Sequence, residues 1–135
     1  MKSFNKDNYV GSRICVLSSQ LFLVASIYKF KWGNYIECIS IFLLYLSSIM
    51  YHKKPTHKNK KLDEFFVKIN ICTSIIISLF QYNIIPPICI IILSYMYYLN
   101  EKRIKLKINS ILSNLYHAIF IHFVAFIGFM SFRLN

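Results

Sequence analysis

Ser48, His52, Asp63, His117 and His122 are the residues of this sequence whose types and spacing could do chemistry together. Ser48 precedes His52 by four residues, one helical turn, so on a helix the two side chains share a face. Asp63 follows His52 by eleven residues, at the head of what reads as the next helix, where the positive end of the helix dipole favours a carboxylate. His117 and His122 lie inside a strongly apolar run. Ionisable groups at such depth are costly and as a rule face a protein interior beside a partner. Three imidazoles with one position left open describe a catalytic zinc site, and a nearby carboxylate can hold and activate a water there. A serine hydroxyl one turn from a ligand can support that water or a developing oxyanion. The fourth histidine, His57, reads as a solvated residue of a basic loop.

The elements that must position these residues are membrane helices. The 135 residues are 56% hydrophobic and 17% aromatic, with mean hydropathy +0.48, too apolar for a soluble domain of this size to bury. That content excludes a disordered acidic or basic tail and, despite a net charge of +11, argues against a soluble nucleic-acid binder. Apolar stretches at Ile14–Phe30, Tyr35–Tyr51, Phe65–Tyr82, Ile84–Leu99 and Ile111–Phe132 predict about five spans. Several are at the short end of the roughly 17–25 residues that cross a bilayer. Pro86 and Pro87 belong at a helix start, which makes Gln81–Pro87 a tight turn. The predicted fold is all-α: a polytopic transmembrane bundle forming one integral membrane domain over residues 1–135.

The basic residues test the count. Five spans put Lys2, Lys6, Arg13, the 52–64 loop and the 100–109 loop on one side, thirteen Lys and Arg including Lys68 at the border. The other side holds only Lys29, Lys31 and Arg133. This bias predicts a multi-pass protein with the N-terminus and the lysine-rich loops cytoplasmic. The same topology brings His52, Asp63 and the two histidines of the fifth span to one face. Elsewhere the readings are structural. Cys15, Cys38, Cys72 and Cys89 fall singly in apolar runs and read as packing residues, with no thiolate metal site. Asn70, Ser74 and Ser78 read as interhelical hydrogen-bonding groups, and Glu37 is given no chemistry. No cleavable signal peptide is expected.

The stretch SSIMYHKKPTHKNKKLDEFF, residues 47–66, resembles the Ser-x3-His-x10-Asp signature of the alkaline ceramidases, within the superfamily that includes the adiponectin receptors. Its Leu62-Asp63-Glu64 ending is similar to the close of the ceramidase pattern. Asp7-Asn8-Tyr9 resembles that family's acidic-Asn-Tyr segment, and the run from His122 to Gly128 resembles the region around its final zinc-ligand histidine. The resemblance implies a zinc held by three histidines inside a helical bundle that hydrolyses a lipid amide. It would make His52 and His122 ligands, place Asp63 on the water and set Ser48 beside it. The chain departs from the family in three ways. It has five predicted spans where the family has seven. Phe4-Asn5-Lys6 stands where the family has its Trp-Cys-Glu calcium segment, which argues against a bound calcium. And the last histidines are spaced His117-x4-His122 where the family has His-x3-His.

The third departure has a geometric consequence. On an α-helix, residues four apart differ by about 40° in azimuth, but residues five apart differ by about 140°. A single π-bulge between the two, absorbing one residue, would restore the alignment. Either the fifth helix carries a bulge around Ala118–Ile121, or only one of the pair is a ligand. The expected function is zinc-dependent hydrolysis of a membrane lipid amide or ester, with the bilayer as environment and no nucleic-acid partner. The alternative is a non-catalytic multi-pass protein: a degenerate relative, a scaffold or a viroporin-like channel.

Overall fold

The computed structural model describes residues 13–105 and 110–131. The readings placed on Lys2, Lys6, Asp7-Asn8-Tyr9, Phe4-Asn5-Lys6, Lys107 and Arg133 lie outside them. Among the described residues the chain is all helix: α1 (Arg13–Lys31), α2 (Tyr35–Lys53), α3 (His57–Gln81), α4 (Ile85–Lys105), α5 (Ser110–Tyr116), a π-helical segment (His117–His122) and α6 (Phe123–Met130). The last three run on as one rod, so five rods build the fold.

Breaks between rods fall where the sequence supplies them. Gly33, with φ of 76°, closes α1 in a Schellman turn: its N–H bonds the carbonyl of Phe30, and that of Asn34 bonds Lys29. Asn34 then caps α2 by accepting from the Glu37 N–H. Pro55 separates α2 from α3, Thr56 caps α3, and the Asn59 amide donates to the carbonyl of Lys54 at 2.8 Å. Tyr82, with φ of 50°, turns the chain out of α3, and Pro86 and Pro87 sit in the first turn of α4, where no intrahelical partner awaits an N–H. Two linkers are therefore shorter than the sequence suggested. The 52–64 loop shrinks to residues 54–56, because helix continues through Lys53 and resumes at His57. The basic stretch after Leu99 is helical as far as Lys105.

The rods close a ring. α1 packs on α2, α2 on α3, α3 on α4, α4 on the π segment and α6, and α6 back on α1. Phe22, Ala25, Ile41, Leu44 and Phe129 form the apolar core where α1, α2 and α6 meet. Small residues permit close approach: a Cβ on Gly128 would lie 3.3 Å from that of Cys89. Much of the remaining interior is polar, with Ser19, Ser40, Ser47, Ser48, Asn70 and Ser74 buried, while Leu17, Ile36, Leu79, Phe80 and Ile91 face outward. The Asn70 amide donates to the Ser40 carbonyl at 3.0 Å, the interhelical role read for it. Serines inside and large aliphatics outside are the arrangement expected of helices solvated by lipid.

Three rods are long and apolar enough to cross a membrane: Arg13–Lys31, Tyr35–Lys53 and Leu112–Met130. The apolar part of α4, Ile85–Asn100, is shorter. α3 carries Lys60, Lys61, Asp63, Glu64 and Lys68 in its first half, with most of its apolar residues gathered in the second. The composition and these helices are those of a membrane protein. Of the five predicted spans, these three meet the requirement of length and hydropathy together.

Candidate metal centre

The fifth rod is α-helical on both sides of His117–His122 and π-helical between. This is the bulge that the five-residue spacing required if both rings were to face one way. The wider turn, with its i→i+5 bonding, brings residues five apart nearly into line. The rings of His117 and His122 stand 4.8 Å apart between centroids. His52, on the last turn of α2, completes a triangle, 5.2 Å from His117 and 5.4 Å from His122. One ring nitrogen from each of the three lies within 4.8 Å of the others.

Every pair of rings is steeply inclined, at 64–78°. Rings inclined in this way can each offer a nitrogen to one shared ion from a different side, as a tetrahedral site requires. His52 is 8% exposed and His122 3%. The Nε2 atom of His52 is buried without a hydrogen-bond partner, although the ring as a whole keeps other contacts, Tyr51 among them. Phe22 packs edge-on against His122, its centroid 5.0 Å away. Three imidazole nitrogens gathered in this way are a donor set that suits a divalent transition metal, zinc among them. A shared zinc would draw the nitrogens to about 3–4 Å, a small contraction from the present triangle.

The carboxylate and serine lie differently from their sequence reading. Asp63 is not at the helix head but in the second turn of α3, beyond the first turn where the helix dipole acts most strongly. It is fixed instead by Ser47, whose hydroxyl donates to Asp63 Oδ1 at 3.0 Å. Glu64 faces the other way and pairs with Lys60 at 3.6 Å. Ser48 is buried one turn from His52, and its hydroxyl lies 3.0 Å from that of Ser19 on α1. His57 is an exposed residue at the start of α3. The structure thus gathers His52, His117 and His122, and ties Asp63 to α2 by a residue the sequence reading passed over. Ser18 was missed as well: its hydroxyl lies 2.6 Å from His122 Nδ1. The available signal was the pair of serine doublets, Ser18-Ser19 and Ser47-Ser48, each in an apolar helix where small polar residues face inward.

Burial pushes the Asp63 carboxyl up to about 6, with a smaller push from the Glu64 charge; the Ser47 hydrogen bond works against both. The folded chain therefore holds this proton more tightly than the unfolded chain, where an aspartate titrates near 3.8. Without a metal, stability should fall as pH rises from about 4 through 6, as Asp63 ionises at a cost. Asp63→Asn should flatten that fall and raise the unfolding midpoint of the metal-free protein at pH 7, measured by thermal unfolding in detergent across pH. An unchanged pH profile would mean that Asp63 is not held in a protonation-sensitive site.

Comparison with known proteins finds no matching family model, no matching curated protein and no matching solved structure. The reading of this centre therefore rests on its own residues and on the local resemblance of residues 47–66.

Proposed function

We propose that this chain is a five-span membrane protein that binds one zinc ion at its lysine-rich end and hydrolyses the amide or ester of an acylated membrane lipid, as the alkaline ceramidases it resembles do. The observation that carries the reading is the triangle of His52, His117 and His122, two of them buried and His117 half-buried, closed by a π-helical segment. When bound, zinc supplies a Lewis acid and lowers the pKa of water in its open position.

The chain's own residues do the rest. Asp63, whose carboxyl is raised toward neutrality by burial, is the general base, since a base is most effective when its pKa lies near the working pH. Ser47 fixes its orientation. Ser48, one turn from His52, supports the developing oxyanion, exchanging its contact with Ser19 for the substrate. A lipid is the substrate class because the outward surface of the helices is apolar, so molecules dissolved in the bilayer are concentrated at the site.

The cation ledger sets the orientation. The ends carrying Arg13, Lys53 and Lys102 face the cytoplasm, and of the few cations assigned to the far end Lys29 is neutralised by Glu37 at 3.1 Å. A second reading, a relative that keeps the metal for structure alone, is favoured by one contact: Ser48 is already satisfied by Ser19. The two readings separate on one residue. Purified full-length protein should contain stoichiometric zinc and release fatty acid from acylated sphingoid or glycerol lipids in mixed micelles. Asp63→Asn should keep the zinc and lose about 10²–10⁴-fold in rate, the usual contribution of a general base. Zinc without hydrolysis in the wild type would leave the structural reading; no zinc would remove both.

A further inference from the structure

Ser18 does something for the histidine triangle that its packing does not require. Its hydroxyl lies 2.6 Å from His122 Nδ1 and 3.0 Å from the carbonyl oxygen of Cys15, one turn back in α1. α1 is interrupted here: Ser19 stands in a turn, and the Phe22 N–H reaches back only three residues, to the Ser19 carbonyl. Serines that bond back to the preceding turn bend helices. Here, through Ser18 and Phe22, the first rod comes against His122 of the π segment.

A neutral imidazole can offer a lone pair from only one of its nitrogens, and the other then carries the proton. Nδ1 of His122 is committed to Ser18, so Nε2 is the nitrogen left to face His52 and His117. For Nε2 to bind a metal, Nδ1 must be the N–H donor and Ser18 the acceptor. A hydroxyl accepts well when its own proton is placed elsewhere, and the Cys15 carbonyl takes it. That carbonyl also accepts from the Ser19 N–H at 3.0 Å, which uses its second lone pair. The Ser19 hydroxyl, 2.8 Å from the same oxygen, has another outlet in Ser48 at 3.0 Å and need not compete.

We infer that Ser18 is the positioning residue of the metal centre: it holds His122 as the tautomer whose Nε2 lone pair points into the triangle, before any metal arrives. The inference rests on the metal reading above and goes beyond it by naming a residue of α1 that tunes it. Outer partners of ligating histidines fix the tautomer and ring orientation, and their loss typically costs 10–100-fold in metal affinity.

The test uses full-length protein in detergent, zinc alone as the ligand, a competing chelator, and three chains: wild type, Ser18→Ala and Ser18→Thr. Wild type should bind one zinc. Ser18→Ala should bind it 10–100-fold more weakly, with an altered visible spectrum when cobalt replaces zinc. Ser18→Thr, which keeps the hydroxyl, should recover most of the affinity. Nitrogen-15 spectra of the metal-free wild type, which need no variant, should show the His122 proton on Nδ1. Equal affinity in wild type and Ser18→Ala overturns the inference while leaving the metal centre standing. So does a proton on Nε2 in the metal-free wild type, or a threonine variant as weak as alanine, which would mark a packing role. Absence of zinc from the wild type fails the metal reading itself, and the inference with it.

Discussion

Alanine at His52 or at His122 is expected to empty the purified protein of zinc. Sites of this kind bind with roughly 10–16 kcal/mol in all, so each of three imidazoles is worth about 3–5 kcal/mol, more than a hundredfold in affinity. The more searching version of the experiment concerns the π segment. In a regular helix His117 and His122 would point about 140° apart, and the observed bulge is what makes them partners. Deleting Ile119, which is 49% exposed and so removes little packing, should let the rod return to plain α-helix with the two histidines four apart on one face. Zinc should be retained. Inserting one alanine after Ile119 has the opposite effect, because six residues apart no single bulge aligns the rings, and zinc should be lost. Metal analysis of the four variants against the wild type decides the matter. If the deletion abolished binding, or the insertion left it intact, the two histidines of this rod would not be acting as a pair.

That bulge marks how far the sequence could be read. The helical class and the helix centres followed from long apolar runs, and the start of α4 from the Pro86-Pro87 pair. The need for a bulge followed from counting residues between His117 and His122. Whether it formed could not, since nothing in Ala118–Ile121 favours a π turn locally; it is imposed by rings packed against His52 on another rod. The place of Asp63 was misread for a related reason. The run of charges from His57 to Lys61 looks like a loop, but Thr56 and Asn59 cap and anchor a helix there, at the basic end of the bundle where lysines can stay solvated. Once α3 starts at His57, Asp63 comes round to face Ser47. Ser18 and Ser47 escaped notice because a serine in an apolar helix has no sequence signature that separates packing from positioning. Only the neighbour across the bundle assigns it.

The opposite end of the bundle carries the other large effect. Lys29 Nζ lies 3.1 Å from Glu37 Oε2, and both side chains are only 2% exposed. The Asn34 amide also donates to Glu37 Oε2, so the carboxylate is held from two directions across the Gly33 turn. As sequence, Lys29 was a topology cation and Glu37 was given no chemistry; together they clasp α1 to α2. Removing one partner of such a pair leaves the other charge buried without its counterion, which typically costs about 3–5 kcal/mol. Glu37→Gln and Lys29→Met are each expected to destabilise by about that amount, measured by denaturant unfolding in mixed micelles. The double variant, with both charges gone, should recover most of the loss, since well-packed apolar replacements of buried pairs are often neutral or stabilising. Zinc affinity separates this from any effect on the centre. The clasp and the histidines lie at opposite ends of α2, with the Tyr35–Lys53 helix between them. The folded fraction of each single variant should therefore bind zinc as tightly as the wild type while unfolding far more readily. A double variant no more stable than the singles would mean that the two side chains act independently. The α1–α2 hairpin would then be held by the turn and the apolar core alone.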